Sequence, residues 1–186
     1  MTDLDGTIVR PDETVSAATL AAVAALRSAA VPLIVATGRS PAGVTVLGPV
    51  LADVSVAVCC NGAIGYVPGD GQVLWQHWLD NSVARELADY LAATWPEAGL
   101  GSYDGGTWLL SPGYFRARGR RPRGPQHVVS VTELCQRPAS TLTVRHPRLS
   151  AGEVAAELTA AGVLTGRATI EYGADDAIDI APIGKY

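Results

Sequence analysis

The sequence predicts an α/β chain: a parallel sheet with flanking helices, and an α+β module inserted after the third strand. Three observations carry this. Two wholly apolar runs, each closed by a Thr-Gly or Asn-Gly step, are separated by helical stretches, which is the alternation of a doubly wound sheet. Beyond residue 64 the texture changes to short alternating strands joined by Gly-rich turns. The 186 residues, at 48% hydrophobic content, are enough to bury a core.

Residues 16–30 (SAATLAAVAALRSAA) set Leu20, Val23, Ala24 and Leu26 at helical spacing behind Ser16, a residue type that caps helix N-termini. Val31 to Ala36 is a continuous apolar run ended by Thr37-Gly38, as in a strand buried on both faces. A weaker helix follows from Pro41 and bends at Gly48-Pro49, and VSVAVCC then gives a second apolar strand ending in Asn61-Gly62. The Gly-Asp-Gly content of VPGDGQ predicts a hairpin between 64–67 and 73–78. Asp80 or Asn81 can cap a helix running to about Trp95, and Asp104-Gly105-Gly106 makes a turn. Thr141 to His146 alternates as a strand, Ser150 to Ala161 reads as a helix, and a last hairpin joins 169–172 to 177–180 across the GADD turn. The expected organisation is a core over residues 1–65, a module over 66–180, and a return to the core at 181–186.

A net charge of −4 gives no global reason to expect nucleic acid or anionic membrane. The N-terminus has no basic region followed by an apolar run, and no stretch of about 18 apolar residues suggests a membrane span. Cys59, Cys60 and Cys135 form neither a disulfide framework nor a metal-ligand spacing, so a reducing, cytoplasmic setting is expected and the pair at 59–60 is assigned to the core. His77, His127 and His146 lack ligand spacing and are expected on the surface or in turns. The four tryptophans are expected to pack within the second module.

The chemistry concentrates in DLDGT. Two carboxylates at i and i+2 on a strand end project to one side unless the backbone turns, and the Gly-Thr that follows says that it does. Oxygen donors so placed suit a hard cation such as Mg²⁺, which is usually held by one or two carboxylates with waters and substrate phosphate oxygens. An aspartate there can also attack phosphorus. Ordinary turn chemistry accounts for Asp-Gly-Thr equally well. What tips the balance is convergence: ligands bind beyond the carboxyl ends of strands in open α/β sheets, which brings Asp3, Thr37 and Asn61 to one crevice. A metal-dependent glycosyltransferase of the D-x-D kind would use the two acids but leaves ATGR and NGA without a role.

DLDGT at Asp3 to Thr7, VATGR at Val35 to Arg39 and CNGA at Cys60 to Ala63 together resemble the haloacid dehalogenase superfamily, in particular its Cof-type phosphatases. The resemblance implies a Rossmann-like core with an α+β cap domain. It implies that Asp3 is nucleophile and Mg²⁺ ligand, and that Asp5 is general acid/base with its main-chain carbonyl on the metal. Thr37 would hydrogen-bond the transferring phosphoryl group, and Gly6, Thr7, Gly38, Arg39, Asn61 and Gly62 would complete the phosphate and substrate contacts. The implied activity is hydrolysis of small phosphomonoesters, with phosphotransfer to a sugar as the alternative.

The family continues after its cap with a lysine and an acidic metal motif, and here IDIAPIGKY leads toward that lysine. Lys185 is the candidate, although the pattern P-x-G-x-x-K from Pro182 falls one position past Tyr186. Only Met1 and Thr2 precede Asp3, where the family has a longer apolar strand. The expectation is therefore a fragment of a longer product, weak or inactive as a catalyst by itself. Between Ser111 and Arg148, eight arginines face one acid, Glu133, and RARGRRPRG reads as a solvated loop, with a grip on a second anionic substrate group as the functional alternative.

Overall fold

The computed structural model describes residues 1–51, 53–117, 121–173 and 177–184. The chain divides into two compact units, Met1–Gln76 and His77–Tyr186.

In the first unit, β1 (Thr2–Asp3), β2 (Ile34–Ala36) and β3 (Val56–Cys59) pair in parallel, with Asp3 opposite Ala36 and Ala36 opposite Val58. The helix α1 (Ala17–Ser28) joins β1 to β2 and is capped by the Ser16 hydroxyl, which accepts from the Thr19 amide at 3.0 Å. It buries only Val23, and Leu20 stays 40% exposed, because the two- and three-residue strands beside it present little sheet to cover. The predicted strand over 31–36 is shorter than its apolar run. Pro32 carries no N–H for a ladder, and pairing starts at Ile34. The helix α2 (Pro41–Thr45) takes Ser40 as its cap and Pro41 in its first turn.

β4 (Ile64–Val67) and β5 (Gln72–Gln76) then extend the same sheet by antiparallel pairing, in the order β1-β2-β3-β4-β5. The change of texture in the sequence is thus a switch of pairing within one sheet, and the first unit runs on to Gln76. Trp75, expected in the core of the second module, lies on β5, 37% exposed, and its Nε1 donates to the Gly62 carbonyl at 3.3 Å.

The second unit opens with α3 (Asn81–Thr94), capped by Asp80, whose carboxylate accepts from the Ser82 amide at 2.7 Å. β6 (Gly99–Tyr103), β7 (Trp108–Leu110), β8 (Gln126–Val128), β9 (Thr141–Arg145), β10 (Ala168–Tyr172) and β11 (Ala177–Pro182) form one sheet in the order β10-β11-β9-β6-β7-β8. It is antiparallel except between β7 and β8. Two more α-helices lie among the described residues of this unit, α4 (Val131–Leu134) and α5 (Ala151–Ala160), the latter opened by a capping box of Ser150 and Glu153.

One face of the sheet meets the helices. Leu100, Leu142, Val144, Ile178 and Ile180 pack with Leu87 and Leu91 of α3 and with Val154 and Leu158 of α5. Three departures from the sequence reading stand out. β6 to β8 have no counterpart in the sequence pattern, because GLGSY and QHV lack a clear apolar alternation. His146 stands at a turn, as one of the two expectations had it, but is 6% exposed and not on the surface, its Nδ1 accepting from the Arg148 and Leu149 amides at 3.1 and 2.9 Å. Trp78 is 45% exposed. No helix among the described residues is long and apolar enough to cross a membrane.

Gly99 is fixed by space. A Cβ there would lie 2.2 Å from Tyr114 Cα and 2.5 Å from its nitrogen, backbone that cannot step aside without moving the Pro112–Phe115 turn. Gly99→Ala is expected to destabilise the protein by about 2–3 kcal/mol and to lower Tm by roughly 5–10 °C. Calorimetry checks this, and an unchanged Tm would remove Tyr114 from its place over the sheet.

Candidate active site

The site is built where the parallel strands end. After β1 the chain turns at once: the buried Leu4 carbonyl accepts from the Ile8 and Val9 amides at 3.0 and 2.8 Å, and the Gly6 amide donates to the Val9 carbonyl at 2.7 Å. Gly6 has φ +79°, a conformation that costs other residues dearly, although a Cβ there would meet nothing. Asp3, Asp5 and Thr7 are consequently exposed around this turn while Leu4, Ile8 and Val9 anchor it.

The loops after β2 and β3 are stitched to each other through backbone. The Thr37 amide donates to the Val58 carbonyl (2.9 Å), the Cys60 amide to the Arg39 carbonyl (2.9 Å) and the Asn61 amide to the Thr37 carbonyl (3.2 Å). Cys60, Asn61 and Gly62 all have positive φ (50°, 53° and 101°), a run of left-handed residues that only the surrounding bonds can hold. Gly38 matters for space: a Cβ would sit 3.0 Å from Asn61 Oδ1.

These loops carry a side-chain constellation centred on Asp5. Thr37 Oγ1 donates to Asp5 Oδ2 at 3.2 Å and accepts from the Arg39 amide at 3.0 Å. Arg39 grips the same carboxylate as a fork, Nε donating to both oxygens at 3.0 Å and Nη2 to Oδ1 at 2.6 Å. The hydrogen bonds to Asp5 hold the guanidinium above its ordinary pKa, so it is charged throughout the working range. Arg39 also donates through Nη1 to the Gly43 carbonyl (3.4 Å) and lies 3.8 Å from Glu13 Oε1. The Asp3 carboxylate, by contrast, has no hydrogen bond or ion pair among the described residues.

The structure thus joins Asp5, Thr37, Gly38, Arg39 and Asn61 in one network, with Asp3 and the Gly6-Thr7 turn on the same strand end. Lys185 lies outside the described residues. Arg39, expected among the phosphate contacts, is spent on Asp5. Glu13 and the Gly43 carbonyl went unread in the sequence; Glu13 stands at φ +62° in the PDETV loop, which no residue type announces. Cys59 is fully buried, which pushes its thiol up to about 12, the behaviour of a core residue and not a nucleophile. The donors at the strand ends are oxygens, and among the described residues no cluster of three or more His, Cys, Asp or Glu side chains could hold a metal. The Asp3 carboxylate and the Asp5 main-chain carbonyl, completed by water and phosphate, are a donor set that suits Mg²⁺.

Among solved structures, the chain is similar to a sugar phosphatase of haloacid dehalogenase subclass IIB, with 16% identity over 99% of this chain and 69% of that one and a TM-score of 0.72. A haloacid dehalogenase-like hydrolase from Bacteroides thetaiotaomicron matches with 17% identity over 98% and 70% of the two chains and a TM-score of 0.72. A Cof-like hydrolase of that superfamily from Plasmodium vivax matches with 18% identity over 98% and 67% and a TM-score of 0.76. At such identities the likeness speaks for the fold, an α/β core of Rossmann type. No curated protein matches the sequence. The family assignment comes from the sequence itself: the model of the haloacid dehalogenase-like hydrolases matches residues 1–113, more than half of the chain and all of the strand-end loops. The chain belongs to the haloacid dehalogenase-like hydrolase family.

Proposed function

We propose that the protein is a Mg²⁺-dependent phosphatase that hydrolyses small phosphomonoesters, sugar phosphates or similar metabolites, through an aspartyl-phosphate on Asp3. The observation that carries this reading is the pairing of Asp3, a carboxylate unengaged among the described residues, with a carboxylate two residues on that accepts from two donors of Arg39, Nε and Nη2, and from the Thr37 hydroxyl. Two acids with such different surroundings suit two roles.

An Asp3 oxygen attacks phosphorus as the bond to the leaving alkoxide breaks, and Asp5 gives that alkoxide a proton. Water then attacks the phosphoryl group, Asp5 takes the water's proton, and the bond to Asp3 breaks to release phosphate. Asp3 and Asp5 would hold Mg²⁺, which when bound neutralises phosphate charge. Arg39 and Thr37 keep Asp5 aimed. Gly6, Thr7, Gly38, Asn61 and Gly62 shape the loops that receive the phosphate. The second unit is read as the cap that selects the substrate, and three buried free thiols fit a reducing compartment.

Phosphate release from p-nitrophenyl phosphate tests the assignment. Release is expected with Mg²⁺ and should stop on chelation and resume on adding the metal back. Release indifferent to chelator, or label passing to an added alcohol and never to water, would overturn it.

A further inference from the structure

The arginines of the second unit are not one population. Arg137 and Arg148 are half-exposed or more and paired with Asp104 and Glu97. Arg121 stacks on Phe115 at 4.5 Å. Arg145 differs from all of these: it is 6% exposed, and among the described residues its buried Nε has no hydrogen-bond partner and its guanidinium no ion pair. Its guanidinium lies over the Tyr114 ring, 4.8 Å from the centroid.

The strand pattern explains the placement. Leu142 and Val144 of β9 face the helices, so Thr141, Thr143 and Arg145 face the other way. Directly across from Arg145 stand Gly99 on β6 and Ala177 on β11, among the smallest side chains available. Tyr114 fills the space over Gly99 and offers its ring as a platform.

A guanidinium cannot escape burial by losing its proton. The ring relieves part of the cost, and the rest calls for an anion. With one flat face on Tyr114, the guanidinium's N–H edges remain available to a bidentate acceptor.

We propose that Arg145 on its Tyr114 platform is an oxyanion-binding site, built for the carboxylate or phosphate group of a small-molecule ligand. The site stands on the second unit alone and does not depend on the roles given to Asp3 and Asp5.

The test uses the full chain without divalent cation, probed with malonate and, separately, with inorganic phosphate against chloride at matched ionic strength. Wild type should bind at least one probe saturably, seen as a rise in Tm and as a shift of the Arg145 Nε–H resonance. Arg145→Met should weaken that binding roughly tenfold or more and raise Tm in anion-free buffer, because it removes a buried unpaired charge. Arg145→Lys, which keeps charge but not the fork, should not restore binding. Response to malonate assigns a carboxylate site, response to phosphate alone a phosphate site, and response to both a general oxyanion site. Equal probe responses in wild type and Arg145→Met, or no shift of the wild-type Nε–H resonance with either probe, would overturn the proposal. The resonance also decides the matter should the variants fail to fold.

Discussion

Asp3→Asn is expected to lower phosphoester turnover by on the order of 10⁴-fold or more, the scale on which enzymes lose rate when a covalent nucleophile is removed. An amide oxygen is a poor nucleophile toward phosphorus and cannot form the acyl phosphate, so no alternative route through this side chain remains. The loss should come without unfolding. Asp3 is exposed, and its side chain has no hydrogen bond or ion pair among the described residues to lose, so Tm should hold within about 1 °C for a surface change of a few tenths of a kcal/mol. Transfer of labelled phosphate to the protein provides the same comparison under single-turnover conditions, where even a slow catalyst shows the covalent step. Label on wild type and none on Asp3→Asn is the expected pair. Equal labelling of both would move the nucleophile elsewhere, and Asp5 would be the next carboxylate to replace.

The site was legible in the sequence to the extent that it rests on strand ends. ATGR and CNGA each follow an apolar run, and parallel pairing through Thr2–Val35 and Val35–Ala57 brings those two strand ends beside DLDGT. What the side chains do to each other there was not legible. Arg39 carries the same letter whether it holds a phosphate or a carboxylate of its own chain. Its choice of Asp5 depends on the sharp turn at Gly6 and on the backbone bonds joining Thr37 to Asn61 and Arg39 to Cys60. The fold shows the same division. Capped helices and the first hairpin read directly, because Ser16, Asp80 and Ser150 and the Gly69-Asp70-Gly71 turn act locally; the GADD turn expected in the last hairpin lies, beyond Gly173, outside the described residues. β6 did not, since Gly99 and Gly101 are there for the neighbours they admit, Tyr114 and Thr143, which are remote in sequence. Arg145 escaped for a related reason: counted with seven other arginines it looks like solvated charge, and only the alternation of β9 turns it inward.

Arg39→Ala should lower kcat by about 10²-fold with little change in KM, the signature of a residue that positions an acid/base group and does not bind substrate. Arg39→Lys should recover little of it: a lysine keeps the charge, but it cannot place two donors on Asp5 in the plane of the carboxylate as Nε and Nη2 do. Guanidinium added in solution should restore part of the kcat of Arg39→Ala and none of that of Arg39→Lys, whose side chain still fills the slot. The decisive comparison is a cycle with Asp5→Asn. If Arg39 acts only through Asp5, the double variant is no slower than Asp5→Asn alone, because the group being aimed has already gone. Multiplying losses, or a KM that rises while kcat stays, would instead return Arg39 to the substrate contacts that the ATGR motif first suggested, and Asp5 would then have to be held by Thr37 alone.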